Sequence, residues 1–195
     1  MADYPDGMRD LPVQWDGRVQ PLEAMSRQIV REVTGGVSYK GEDAVTIFLS
    51  MVSDPQRWQS EKIIRIRHRP FKAAAGLNKN ADWYSFHELA TSEKIRHIVQ
   101  MAEAKKQGET PLPDVENNAV AIYNKLGLLQ SLFQDRLILA VPHPDGYRNA
   151  AADETVRQRW EELKNAVRAG PKSELEEAVT RFRRAIAAAP HGSIP

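Results

Sequence analysis

The chain contains no cysteine. Disulfides, thiolate metal sites and a cysteine nucleophile are therefore excluded. The absence assigns no compartment, because exported proteins also fold without disulfides. No run reaches the roughly 18 apolar residues that a membrane-spanning helix needs. The opening Met1-Ala2-Asp3-Tyr4-Pro5-Asp6 lacks the basic and apolar regions of a secretory signal. On the residues alone, the chain is either cytoplasmic or a domain of a longer protein. An excess of one charge is missing too. Against 27 Lys and Arg stand 26 Asp and Glu, a formal net charge of +1, so no global field draws the chain to nucleic acid or anionic lipid. There is no Gly-x-Ser-x-Gly elbow, phosphate loop or dinucleotide fingerprint, and no solenoid repeat or low-complexity tract.

What is present is helical periodicity in ordinary globular composition, 42% hydrophobic and 27% charged over 195 residues. Residues 1–10 are polar with Pro and Gly and read as a flexible lead-in. Val13 and Trp15 precede Asp16-Gly17, and Val19 follows; Asp-Gly between alternating apolar residues predicts a β-hairpin over 12–20. Pro21 suits a first helical turn. Leu22, Met25, Ile29 and Val33 then recur at steps of three and four, and Gly35-Gly36 ends the helix. A second helix over 42–52 turns Val45, Phe48, Leu49 and Val52 inward until Asp54-Pro55 stops it. In 62–68, Ile64 and Ile66 alternate with Arg65 and Arg67, a strand period. Residues 70–83 read as loop.

Ser85-x-x-Glu88 has capping-box spacing for a short helix at 86–90. The next helix starts near Ser92 and carries Ile95, Val99 and Ala102. After the joint Pro111–Pro113, Val115, Ala119, Ile122, Leu126, Leu129 and Phe133 repeat at 4-3-4-3-4, the spacing of a long packed helix. Arg136–Val141 (RLILAV) reads as a strand closed by Pro142-His143-Pro144. Val156, Trp160 and Leu163, then Leu175, Ala178 and Phe182, line a helical hairpin turned at Gly170-Pro171. The fold class is mainly α with minor β (α+β). The N-terminal hairpin and strands 62–67 and 136–141 join in a small sheet. Residues 11–149 form one core domain, and 150–190 a helical hairpin packed on it or standing as an arm.

The run DLPVQWDGRVQPLEAMSRQIVREVTG, followed by Asp54, Pro55 and Trp58, resembles a segment of the Ccs-type c-type cytochrome biogenesis proteins. The matching positions are Asp16, Gly17, Arg18, Val19, Pro21 and Leu22. Tyr84-Ser85-Phe86 with Glu88-Leu89, the stretch VAIYNKLGLLQSLF at 120–133, and LILAVPHPDG at 137–146 follow in the same order. The resemblance spans roughly residues 11–147. It implies a non-catalytic extracytoplasmic (periplasmic) domain of a longer membrane protein that exports haem and presents it to apocytochrome c. It implies as partners the membrane-embedded parts of that protein or a neighbouring subunit, and apocytochrome c. The family's haem-handling hallmark is a tryptophan-rich loop. Here Trp15, Trp58, Trp83 and Trp160 are scattered, so haem belongs to the parent machinery and is carried to no residue of this chain.

Haem iron takes imidazole, and the histidines are His68, His87, His97, His143 and His191. None has Cys-x-x-Cys-His or His-x-x-x-His spacing, and surface or capping roles explain them better. His143, between prolines, is the best presented. Arg65, Arg67 and Arg69 share a face if 62–68 is extended. That face suits haem propionates, an acidic partner or lipid phosphates, against the plainer reading of a solvated edge. Trp58 and Trp83 suit stacking on a porphyrin or peptide, against core anchoring with the ring N–H satisfied. Asp16 and Arg18 are explained by turn chemistry. No catalytic set and no metal site is read, and nucleic acid is excluded for want of a basic surplus. The functional alternative is a helical protein–protein adaptor unrelated to haem, using the 115–133 and 156–186 stripes.

Overall fold

The structure, a computed structural model, describes residues 6–15, 18–107, 111–135, 154–169 and 172–188. In chain order the elements begin with α1 (Asp6–Arg9), β1 (Pro12–Trp15), β2 (Arg18–Pro21), α2 (Leu22–Thr34), β3 (Ser38–Tyr39) and β4 (Glu42–Asp43). Next come α3 (Ala44–Ser53), α4 (Pro55–Ser60), β5 (Ile64–Arg65), α5 (Arg69–Ala74), β6 (Trp83–Tyr84) and α6 (Phe86–Ala90). The long helices α7 (Glu93–Gln107), α8 (Asp114–Phe133), α9 (Glu154–Ala169) and α10 (Lys172–Ala188) follow. The chain is mainly helical, with three two-stranded antiparallel ribbons among the described residues.

The sequence AVTIFLSMVS of α3 is apolar on every side, and nine of its ten residues are buried. Such a helix must be enclosed. α2 lies against it through the stripe Leu22, Met25, Ile29 and Val33, and α4, α8 and α9 close the remaining sides. Its ends need partners that water cannot supply. At the N-terminus, Asp43 Oδ1 accepts from the N–H groups of Val45 (3.0 Å) and Thr46 (3.3 Å), and Oδ2 from the Thr46 hydroxyl (2.9 Å). At the C-terminus, Arg168 of α9 donates from Nε to the Ser53 carbonyl at 2.8 Å, and its Nη2 reaches the same oxygen.

α9 and α10 pack together through Val156, Trp160, Leu163, Leu175, Ala178 and Phe182, all buried. Trp160 and Phe182 stand 5.7 Å apart. Asp135, just past α8 and in the left-handed region at φ 58°, holds this hairpin. Its Oδ1 accepts from Trp160 Nε1 at 3.0 Å, and its Oδ2 pairs with Lys164.

Several elements differ from the sequence reading. Part of the lead-in is helical: α1 buries Met8 completely. The residues after Pro55, and the start of the stretch read as loop, are helices α4 and α5. Proline opens a helix as readily as it stops one, because its missing N–H falls where no intrahelical acceptor exists. Asp54 caps α4 through the Arg57 N–H at 3.3 Å, and His68 Nδ1 caps α5 through the Phe71 N–H at 3.1 Å. The strand at 62–68 shrinks to Ile64–Arg65, and its partner is β6, with Ile64 opposite Tyr84 and Arg65 opposite Trp83. The N-terminal hairpin pairs with itself, Trp15 opposite Arg18, and forms no common sheet with β5. The Asp16-Gly17 turn, the 136–141 strand and the Gly170-Pro171 turn lie outside the described residues.

Two stability outcomes are expected. Asp43→Ala removes the α3 cap and lowers unfolding free energy by about 1–2 kcal/mol in urea denaturation; no loss would mean the α3 N–H groups find other partners. Gly127 sits in mid-α8, and a Cβ there would meet nothing within 4 Å. Gly127→Ala therefore stabilises by roughly 0.5–1 kcal/mol, read in the same assay.

Candidate functional site

Two helix caps and one tight turn bring together aromatic residues that are far apart in sequence. The β3–β4 turn passes through Lys40 (φ 50°) and Gly41 (φ 82°), the double left-handed pattern of a two-residue hairpin. It carries Tyr39 to the end of α4. There the Tyr39 hydroxyl lies 2.8 Å from Glu61 Oε1 and 2.9 Å from the Lys62 carbonyl oxygen. Its single proton serves one acceptor at a time. Lys40 Nζ pairs with the same Glu61 oxygen at 2.6 Å.

Tyr39 stands between two tryptophans. Its ring lies 6.4 Å from Trp58 and 5.6 Å from Trp83, the latter edge to face. Cations cap this row: Arg57 sits 5.6 Å from the Trp58 ring and Arg65 5.2 Å from the Trp83 ring. These are distances at which a ring face attracts a guanidinium. Trp58 is a core anchor, 2% exposed, with Nε1 donating to Ser50 Oγ at 2.9 Å. Trp83 is half-buried. It forms one wall of an open recess of about 550 Å³, lined further by Ser38, Tyr39, Lys40, Ser60, Glu61 and Lys62. That volume lies in the range of small-molecule and peptide sites.

The floor of the recess is electrostatically settled. The hydrogen bond from Lys40, then that from Tyr39, hold the Glu61 carboxyl below its ordinary value of 4.5. Burial, then the bond to Glu61, push the Tyr39 phenol up. Beneath β6, Lys72 is 2% exposed and donates to the Ala81 carbonyl at 2.6 Å and to Asp82 at 3.0 Å. The Tyr84 hydroxyl lies 2.6 Å from the Asn78 carbonyl and 2.9 Å from that of Ala81. These contacts fix the 77–82 loop and, through it, Trp83.

The structure therefore joins two of the sequence candidates, Arg65 and Trp83, as a cross-strand pair. It does not gather the three arginines on one strand face: Arg67 lies beyond β5 and Arg69 opens α5. His143 lies outside the described residues. His68 caps α5, while His87 and His97 are exposed on α6 and α7. Tyr39, Lys40 and Glu61 were not among the sequence candidates, although Lys40-Gly41 is an x-Gly hairpin signal that marks the turn. A ligated haem does not fit this recess. No histidine lines it, and Tyr39 and Lys40 are both committed to Glu61.

Such a site defines a helical module with a cation-flanked aromatic recess. Among the described residues no group of three or more His, Cys, Asp or Glu is arranged to hold a metal, and no helix is long and apolar enough to cross a membrane. No family model matches the chain. It is similar to Protein NrfI of Wolinella succinogenes, at 24% identity over 153 residues, covering 77% of this chain and 16% of that protein. The chain thus spans a small part of the curated relative it matches.

The Glu61 network has a defined acid response. A carboxyl whose folded pKa lies below the unfolded one stabilises fully above the unfolded value, and that contribution is lost as pH falls through the folded value. The urea midpoint is expected to fall on acidification below pH 4.5, and Glu61→Gln to remove part of that slope. Identical slopes for wild type and variant would show that Glu61 is not coupled to folding.

Proposed function

We propose that this chain is a non-catalytic soluble domain of a membrane-bound cytochrome c biogenesis protein. It stands on the extracytoplasmic, periplasmic face and supports haem delivery to apocytochrome c or assembly of the maturation complex. The observation that carries this reading is the similarity to Protein NrfI over 77% of the chain. At its coarse level that similarity points to cytochrome c biogenesis, as does the ordered series of Ccs-like segments. The recess supports a docking role, because its polar groups are arranged for contact and not for bond making. Its partners are the membrane-embedded parts of the parent protein, a neighbouring subunit, or apocytochrome c.

The adaptor alternative draws on a smaller groove of about 190 Å³ between α6, α7 and α8, lined by Phe86, Leu89, Ile95 and Leu126 and bordered by exposed Tyr123.

The test is genetic. Excising residues 11–135 in frame from the native gene should abolish most covalently attached haem on a haem-stained gel while b-type cytochromes persist. Unchanged c-type cytochromes would refute the proposal and favour the adaptor reading.

A further inference from the structure

The region around the recess holds more cation than its own carboxylates use. Glu61 is taken by Lys40 at 2.6 Å and by Tyr39. Asp82 is taken by the buried ammonium of Lys72 at 3.0 Å. Glu88 closes the α6 cap by accepting the Ser85 N–H at 2.7 Å and reaches Lys62 only at 3.6 Å. Lys62 is thus only loosely paired, and Arg65 has no ion pair among the described residues. Lys62 is 61% exposed at the recess mouth. Arg65 rests on the Trp83 ring, and its Nε is buried with no hydrogen-bond partner among the described residues. A buried donor without an acceptor is costly to keep, and a guanidinium fork matches a carboxylate. Arg65 and Trp83 are directly opposed in the β5–β6 ribbon, so both side chains leave the same face.

We propose that this recess binds an extended acidic peptide segment whose carboxylates pair with Lys62 and Arg65 while an intervening aromatic side chain lies against Trp83. The inference rests on the docking role proposed above and supplies the chemistry of its partner. Charge selects the ligand's sign, since Glu61 and Asp82 are closely paired, Glu88 holds Lys62 only at 3.6 Å, and Arg65 has no carboxylate partner among the described residues. Shape selects a peptide. The recess is open and about 550 Å³ in volume, with Ser38 and Ser60 on its lining to meet peptide groups. A small monoanion would answer only one of the two cations. A lipid surface presents its phosphates in a plane and does not enter a concave site.

The intact 195-residue chain, with its tryptophan indoles labelled with nitrogen-15, is titrated at low ionic strength with the capped peptide Asp-Phe-Glu-Asp. The Trp83 indole resonance, assigned by its loss in Trp83→Phe, is expected to shift saturably while that of Trp160 stays fixed. Lys62→Glu and Arg65→Gln should each weaken binding roughly tenfold, and Arg65→Lys should do so less, because it keeps the charge and loses the fork. Unmoved resonances of the other indoles report an intact fold in each variant. If Arg65→Gln disturbs them, the exposed Lys62→Glu carries the test alone. A Trp83 resonance that ignores the acidic peptide overturns the proposal, as does an equal shift with capped Asn-Phe-Gln-Asn. Succinate matching the peptide's affinity overturns the peptide assignment. Because binding is read on the isolated chain, it fails or succeeds independently of cytochrome yield in cells.

Discussion

A helix with no solvated side has nowhere to leave an unmet hydrogen bond, and α3 is that helix. Its apolar wall sets which surfaces the neighbours must present, and its two ends set where polar groups must sit. Asp43 answers the first turn, and Arg168 answers the last carbonyl from the other end of the chain. The N-terminal cap fixes more than a helix. Asp43 is also the last residue of β4, so the cap anchors the β3–β4 turn that presents Tyr39 and Lys40. Similarly, Asp54 ends α3 and caps α4, whose end delivers Glu61. The recess is thus assembled at the margins of the buried helix by the same residues that make burial tolerable.

A row of three rings bounded by guanidinium groups runs from the core to the recess wall, where a carboxylate is paired with Lys40. Each part is local and inexpensive: a two-residue turn, a one-turn helix, a two-residue strand. Their combination is rigid because Lys72 and Tyr84 tie down the loop behind Trp83. A surface built this way offers fixed geometry and charge. Among the described residues no histidine lines it.

Much of the helical frame was legible. The stripes of α2, α7, α8, α9 and α10 read correctly, because burial on one face imposes a period that survives in a single sequence; α3 is a helix as read, but it is buried on all sides rather than on one. The Ser85–Glu88 capping box was equally plain, and both reciprocal bonds form. The misses share a cause. α4 and α5 are too short to show a period, and the proline that opens α4 reads as a terminator. Ile63, Ile64 and Ile66 are all buried, so the alternation seen in 62–68 does not mark one solvated face. The site was the least legible part. Arg65 and Trp83 were each singled out, but their pairing depends on a cross-strand register 18 residues apart. Tyr39 and Glu61 are unremarkable until a left-handed turn joins them.

Asp135 adopts a backbone conformation that most side chains resist, and from there one carboxylate answers both the indole of Trp160 and the ammonium of Lys164. Lys164 also pairs with Glu161 at 2.8 Å, so loss of the acid strands the indole N–H of Trp160 rather than the ammonium. A lineage that loses the acid is therefore expected to part with the indole as well, while the amine can stay.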